Sequence, residues 1–161
     1  AESLETVREV VPHAKRAVVD ADLLRFPLPR AREETIYTPH AGEFARLFGK
    51  APEDLAERGR AVREAAASSG AVIILKGETD VISDGCRVRF NRSGCQAMTV
   101  GGTGDVLSGV CGGLLCRMPA FEAACAAVYA EGRAGEKAAS VVGDGMMPSD
   151  LLKEIAGILW K

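Results

Sequence analysis

Histidine is scarce in this chain: His13 and His40 are the only two in 161 residues, too few for a histidine-rich metal centre. The five cysteines are an odd number and none stand at CxxC spacing, which argues against a disulfide framework or a zinc site. Cys111, Cys116 and Cys125 instead fall on apolar helix positions, where free cysteine behaves as a small hydrophobe. Neither sign of charge dominates, with 20 basic against 22 acidic residues and a formal net charge of -2. The chain therefore carries no electrostatic footprint for nucleic acid or a membrane surface. No segment approaches the roughly 18 to 20 unbroken apolar residues of a spanning helix, and the opening AESLETVREVV lacks a basic start followed by an apolar run. A cytoplasmic chain with small-molecule partners is expected, with neither nucleic acid nor membrane among them. Two nucleotide signatures, GxxxxGK[ST] and GxGxxG, are also missing.

What is present is a hydrophobic fraction of 47% in 161 residues, enough to bury one core and rarely two. One domain over residues 1–161 is the expectation. LETVREVV has helical spacing, and RAVVDADLL is a short β-branched run ending in two aspartates. TIYTPH predicts a strand. AGEFARLFG predicts a helix with Phe44, Leu47 and Phe48 on one face and Gly49 as its stop. Pro52, at a first-turn position, opens a helix with the stripe Leu55, Gly59, Val62 and Ala66. AVIILKG reads as a central parallel strand covered on both faces. TDVISDG and RVRFNR read as a hairpin turning at Asp84-Gly85. Two helices follow, with stripes Val106, Leu107, Val110, Leu114, Leu115 and Phe121, Ala124, Cys125, Val128, Tyr129, and PSDLLKEIAGILW closes the chain with Ser149 or Asp150 near its start. Strands alternating with helices predict an α/β layered fold.

The chemistry concentrates in MTVGGTGDVLSGV, Met98 to Val110. Glycines bring backbone N–H groups close to a ligand, and the first turn of a helix leaves several of them unpaired. Gly102, Thr103 and Gly104 thus form a candidate anion hole. Asp105, a carboxylate beside a phosphate cradle, makes sense as the base that removes a proton from a hydroxyl reacting with that phosphate. Capping of the helix by Thr103 or Asp105 is an equal alternative on these residues alone. Lys76 and Gly77 end the strand that reads as most buried, where α/β proteins bind ligands, and Lys76 either reaches a phosphate or is a solvated strand-end lysine. His40 follows another strand and is either a substrate contact or a partly exposed cap. Asp20 and Asp22, at a third strand end, either bind substrate or magnesium or merely order a loop.

VVDADLL, TPHAGEFARLFG, VIILKGETDVISDG and MTVGGTGDVLSGV occur in the order and roughly the spacing of the ADP/ATP-dependent NAD(P)H-hydrate dehydratases, a branch of the ribokinase-like kinases. The resemblance runs from about Leu4 to Leu159. It implies a ribokinase-like three-layer αβα sandwich with a mostly parallel sheet and an antiparallel hairpin. It also implies nucleotide-dependent removal of water from hydrated NADH or NADPH, through phosphorylation of the hydrate hydroxyl and loss of phosphate. By the same resemblance Asp105 is the catalytic base and His40 a substrate contact. Lys76, Gly77, Glu78, Thr79, Asp80 and Gly104 then hold the nucleotide. ADP or ATP is the implied phosphoryl donor and Mg2+ its companion, with no metal ligand named; a homo-oligomer is expected.

Two departures stand out. Cys95 to Ala97, CQA, replace the Asn-Pro-Gly of many members, and the family's upstream glycine-rich segment does not precede Ala1. The chain therefore reads as the C-terminal part of the domain, with an N-terminal segment of the same protein as a further expected partner. A small-alcohol or vitamin-precursor kinase, or a non-catalytic nucleotide-binding fragment, are the competing expectations.

Overall fold

The computed structural model describes residues 2–160. Its centre is one five-stranded sheet in the order β1 (Arg16–Val19), β2 (Glu34–Tyr37), β3 (Val72–Leu75), β4 (Asp80–Ser83), β5 (Val88–Asn91). β1 pairs with β2 and β2 with β3 in parallel, while β4 runs antiparallel to both neighbours. The apolar run VIIL forms the middle strand. Its side chains alternate, Val72 and Ile74 entering one core and Ile73 and Leu75 the other, which is why no position of β3 tolerates a polar residue. The hairpin forms as expected over a four-residue loop, where the Asp84 carboxylate accepts from the Cys86 and Arg87 amides.

Helices α2 (Ala41–Phe48) and α3 (Leu55–Ser69) cover one face through Phe44, Leu47, Val62 and Ala66. Helices α4 (Thr103–Leu115) and α5 (Ala120–Val142) cover the other, and α6 (Pro148–Leu159) packs on them through Leu151 and Ile155. The N-terminal helix α1 (Glu2–Val10) precedes β1. This is the expected three-layer αβα arrangement. The 23 residues of α5 present Ala123, Ala124, Ala127, Ala130 and Ala134, all at 0% exposure. Alanine is the best helix former, and its small side chain lets α5 approach both the sheet and its neighbouring helices.

Three expectations need correction. Pro52 lies before α3 rather than in its first turn, because the Asp54 carboxylate accepts from the Glu57 amide and sets the start there. Tyr129 is 55% exposed, since the buried stripe follows the alanines on the adjoining face. Cys116 is exposed just past the last buried turn, and only Cys111 of the cysteines is fully buried. α6 begins at Pro148, with Met147 as the cap residue whose amide donates to the Asp150 carboxylate, so Asp150 secures the start from inside the helix.

Candidate active site

The polar residues that follow β1, β2 and β3 meet at one edge of the sheet. The Lys76 ammonium donates to Asp20 Oδ1 at 3.1 Å, and the Ser108 hydroxyl donates to Asp20 Oδ2 at 2.9 Å. Lys76 also donates its amide to Pro39 O at 2.9 Å and bridges His40 in parallel register. Burial alone would raise the Asp20 carboxyl, but Lys76, Thr38, the Ala21 amide and Ser108 together hold it below the ordinary aspartate range. Asp20 is therefore an ionised clamp that fixes the position of Lys76. Asp22 takes no part: it is exposed and pairs with Arg25 at 2.6 Å.

The glycine turn lies over this pair. Gly102 occupies the N-cap of α4 with φ at +103°, a conformation that suits glycine. A Cβ on Gly104 would stand 3.4 Å from Lys76 Nζ and 3.7 Å from Asp20 Oδ2. The ammonium thus sits against the opening turn of α4, where unpaired amides and the helix dipole favour an anion. No side chain caps α4. The Thr103 hydroxyl donates to Met98 O and Val100 O at 3.2 and 3.1 Å, and the Thr103 amide makes a long 3.5 Å contact with Val100 O. Thr103 ties down the preceding loop, which leaves Gly104 as the least encumbered part of the cradle.

His40 has two roles. Its Nδ1 accepts from the Gly42 and Glu43 amides at 3.0 and 3.2 Å, while the Glu43 carboxylate accepts from the His40 amide. This reciprocal capping box starts α2. Because Nδ1 is an acceptor, the ring proton resides on Nε2, 3.4 Å from Glu43 Oε1. The imidazole nevertheless lines the cavity described next.

A cavity of about 1250 Å3 opens at this sheet edge, with His40, Lys76, Gly77, Glu78, Thr79, Asp80, Thr103 and Gly104 in its wall. That volume accommodates a ligand larger than most drug-sized molecules. Gly102 and Asp105 do not line it. Asp105 is exposed on the first turn of α4, one residue beyond the wall, and its carboxylate makes no hydrogen bond among the described residues. Asp80 has both oxygens engaged, accepting from the Gly77 amide at 3.0 Å and from Asn91 Nδ2 at 3.0 Å. Burial pushes its carboxyl upward against these bonds. Asp80 shapes the turn after Lys76.

Sequence reasoning missed two parts of the wall. The first is the loop from Arg92 to Gln96, ahead of the stretch that begins at Met98; the second is Glu131 on α5, 7% exposed and facing the cavity beside Val128 and Gly132. Burial, with a smaller push from nearby Asp80 and opposed by Lys76, raises the Glu131 carboxyl to about 8. A glutamate at a position where the α5 stripe otherwise demands a small apolar residue was the available signal. The loop is held by bare backbone: a Cβ on Gly132 would stand 2.3 Å from Ser93 Oγ and 2.6 Å from its carbonyl carbon. The Gly94 amide also donates to Glu136 at 2.9 Å.

Among the described residues no three His, Cys, Asp or Glu side chains form a group able to hold a metal ion. No helix of the described residues is long and apolar enough to cross a membrane.

The sequence and the fold are similar to those of known proteins. The chain is 48% identical over 161 residues to a bifunctional NAD(P)H-hydrate repair enzyme of Methanospirillum hungatei, covering 99% of this chain and 33% of that protein. It is 42% identical to an ADP-dependent (S)-NAD(P)H-hydrate dehydratase of Nitrosopumilus maritimus, covering 97% and 56%. It thus spans about a third to somewhat over half the length of these relatives. The Bacillus subtilis ADP/ATP-dependent NAD(P)H-hydrate dehydratase, co-crystallised with ATP and Mg2+, superposes with a TM-score of 0.78 at 30% identity over 99% of this chain and 60% of that one. A ribokinase-like superfamily protein of Enterococcus faecalis shares the fold, with a TM-score of 0.78 at 24% identity over 99% and 58%. The profile of the NAD(P)H-hydrate dehydratase family matches residues 2–157, and the chain belongs to that family.

Proposed function

We propose that this chain builds the nucleotide side of an enzyme that dehydrates hydrated NADH and NADPH at the expense of ADP or ATP. The observation that carries the proposal is Lys76 held by Asp20 against Gly104, at the wall of a cavity roomy enough for a nucleotide. An ammonium fixed beside a helix N-terminus favours phosphate, and it requires no reorganisation when phosphoryl charge shifts during transfer. Gly77, Glu78, Thr79 and Asp80 form the wall next to Lys76. Magnesium would arrive with the phosphates, since it binds through phosphate oxygens and water more readily than through a protein-only cage.

Asp105 supplies the chemistry from the rim. The hydrate hydroxyl attacks the terminal phosphorus, a new O–P bond forms, the bond to the nucleotide oxygen breaks, and the hydroxyl proton passes to the carboxylate. Phosphate then departs with the former hydroxyl oxygen while the neighbouring ring carbon loses a proton, restoring the double bond. Of the turn at Gly102, Thr103 and Gly104, Gly104 at the cavity wall offers the freest amide to the phosphoryl group, and His40 offers a polar edge toward the hydrate. The partners are small molecules, the setting the cytoplasm, and the assembly a homo-oligomer.

The test uses the protein at its native length. Incubated with hydrated NADH and ADP or ATP, it restores the absorbance of the reduced nicotinamide. Phosphorylation of a small alcohol with no such recovery would replace the dehydratase by a kinase.

A further inference from the structure

Glu131 is a buried carboxyl in the cavity wall that the proposed chemistry leaves unused. It is 7% exposed and lines the cavity, and among the described residues no amide or side chain donates a hydrogen bond to its carboxyl. Buried carboxyls in proteins are normally paired. Glu43, 6% exposed, shows the ordinary solution, accepting from the His40 amide at 2.9 Å with His40 Nε2 3.4 Å from its other oxygen. Glu131 has no such partner, and its oxygens are not among the fully buried orphaned atoms of the described residues, so they open to the cavity, where a ligand group can complete them. The neighbouring positions of α5 are alanine and glycine, which gives packing no reason for a glutamate there.

The surroundings restrict what the ligand group is. A phosphate is disfavoured, because Glu131 already lies within electrostatic reach of Asp80. A metal ion is disfavoured by the lack of a group of three ligating side chains among the described residues. Lys76, which stands at the phosphate cradle, is within the same electrostatic reach. The partner of Glu131 is therefore close to the phosphates yet not one of them. In a nucleotide that group is the sugar, with the base one step further out. Sugar hydroxyls are natural partners for a carboxyl in a nucleotide pocket.

We infer that Glu131 reads the ribose of the bound nucleotide by hydrogen-bonding its hydroxyls, and so selects ribonucleotides over deoxynucleotides. This rests on the cavity being the nucleotide site. Burial supports it, because a carboxyl raised to about 8 is largely protonated at neutral pH. In that form it donates one hydrogen bond and accepts another, which suits a diol.

Titration of the full chain with ADP, 2′-deoxy-ADP, 3′-deoxy-ADP and pyrophosphate, for wild type, Glu131→Gln and Glu131→Ala, tests the inference. Wild type is expected to bind ADP roughly 10-fold or more tightly than at least one deoxy analogue. Glu131→Ala removes that preference and leaves pyrophosphate affinity within about twofold; Glu131→Gln retains part of it. The wild-type comparison stands even if a variant fails to fold. Equal binding of ADP and both deoxy analogues by wild type overturns the inference, as does an equal loss for all three nucleotides in a folded Glu131→Ala. Wild type that binds neither ADP nor pyrophosphate overturns the nucleotide site itself, a failure distinguishable from the other two.

Discussion

The two flanks of the glycine turn are built differently. On the cavity side the framework that carries the wall is bonded together: Asp20 to Lys76 and Ser108, Asp80 to Gly77 and Asn91, Ser93 to Asn91, Gly94 to Glu136. On the flank carrying Asp105, α4 is bare. Asp105 is exposed, its carboxylate without a hydrogen bond among the described residues, and a Cβ on Gly109 or Gly113 would meet nothing within 4 Å. Binding geometry is preorganised on one flank, and the reactive carboxylate is presented unencumbered on the other. Substitutions on the two flanks should therefore fail in different ways.

The largest contrast is between chemistry and affinity at Asp105. Asp105→Ala should lower turnover of hydrated NADH by roughly 10²- to 10⁴-fold, the usual worth of a general base, while ADP affinity changes by less than about twofold. A comparable loss of ADP affinity would move Asp105 into the binding flank. On the packed flank, Gly132→Ala forces a methyl into Ser93, including its backbone, and should cost on the order of 1–3 kcal/mol in chemical denaturation while weakening nucleotide binding through the displaced loop. Stability at or above wild type would show that the loop is not held by α5.

Glu131 adds a pH dependence. Its carboxyl keeps its proton in the folded chain up to about 8, whereas the unfolded chain releases it near the ordinary value of 4.5. The folded state then binds more protons, so its stability is fullest at low pH and declines as pH rises between these two values. Glu131→Gln removes the decline, so its melting temperature should exceed that of wild type by ~3 °C or more near pH 8 and by less near pH 5. A constant difference across that window would contradict the assignment. Asp20 acts in the opposite sense, because its lowered carboxyl contributes stability that is lost only in acid. The smallest effect belongs to the bare flank: Gly109→Ala should stabilise the chain by about 0.5–1 kcal/mol through helix propensity alone, and a loss would reveal an occupied surface.

Much of this was legible in the residues because the relevant signals are local. The unbroken VIIL run announced a strand covered on both faces, the Asp84-Gly85 pair announced the hairpin, and the closely spaced glycines before Val106 announced a helix start facing a ligand. The convergence of Asp20, His40 and Lys76 followed from parallel strands ending at one edge. What escaped was set by contacts between residues far apart in the chain. The loop after Arg92 became a cavity wall because Gly132 and Gly135 of α5 leave room for Ser93 and Met98, and no pattern near residue 92 encodes that. Glu131 looked like one more charged residue on a long helix until the fold turned it inward. The role of Asp54 in starting α3 was obscured by Pro52, a stronger local marker that here sits outside the helix.

The central claim is that Lys76, clamped by Asp20 beneath Gly104, anchors a nucleotide phosphate. Calorimetric titration of ADP into the full chain, with wild type and Lys76→Ala side by side, tests it most directly. Saturable one-site binding by wild type that weakens roughly 10- to 100-fold in the variant is the predicted result. Absence of binding by wild type, or affinity unchanged by loss of the ammonium, would contradict it.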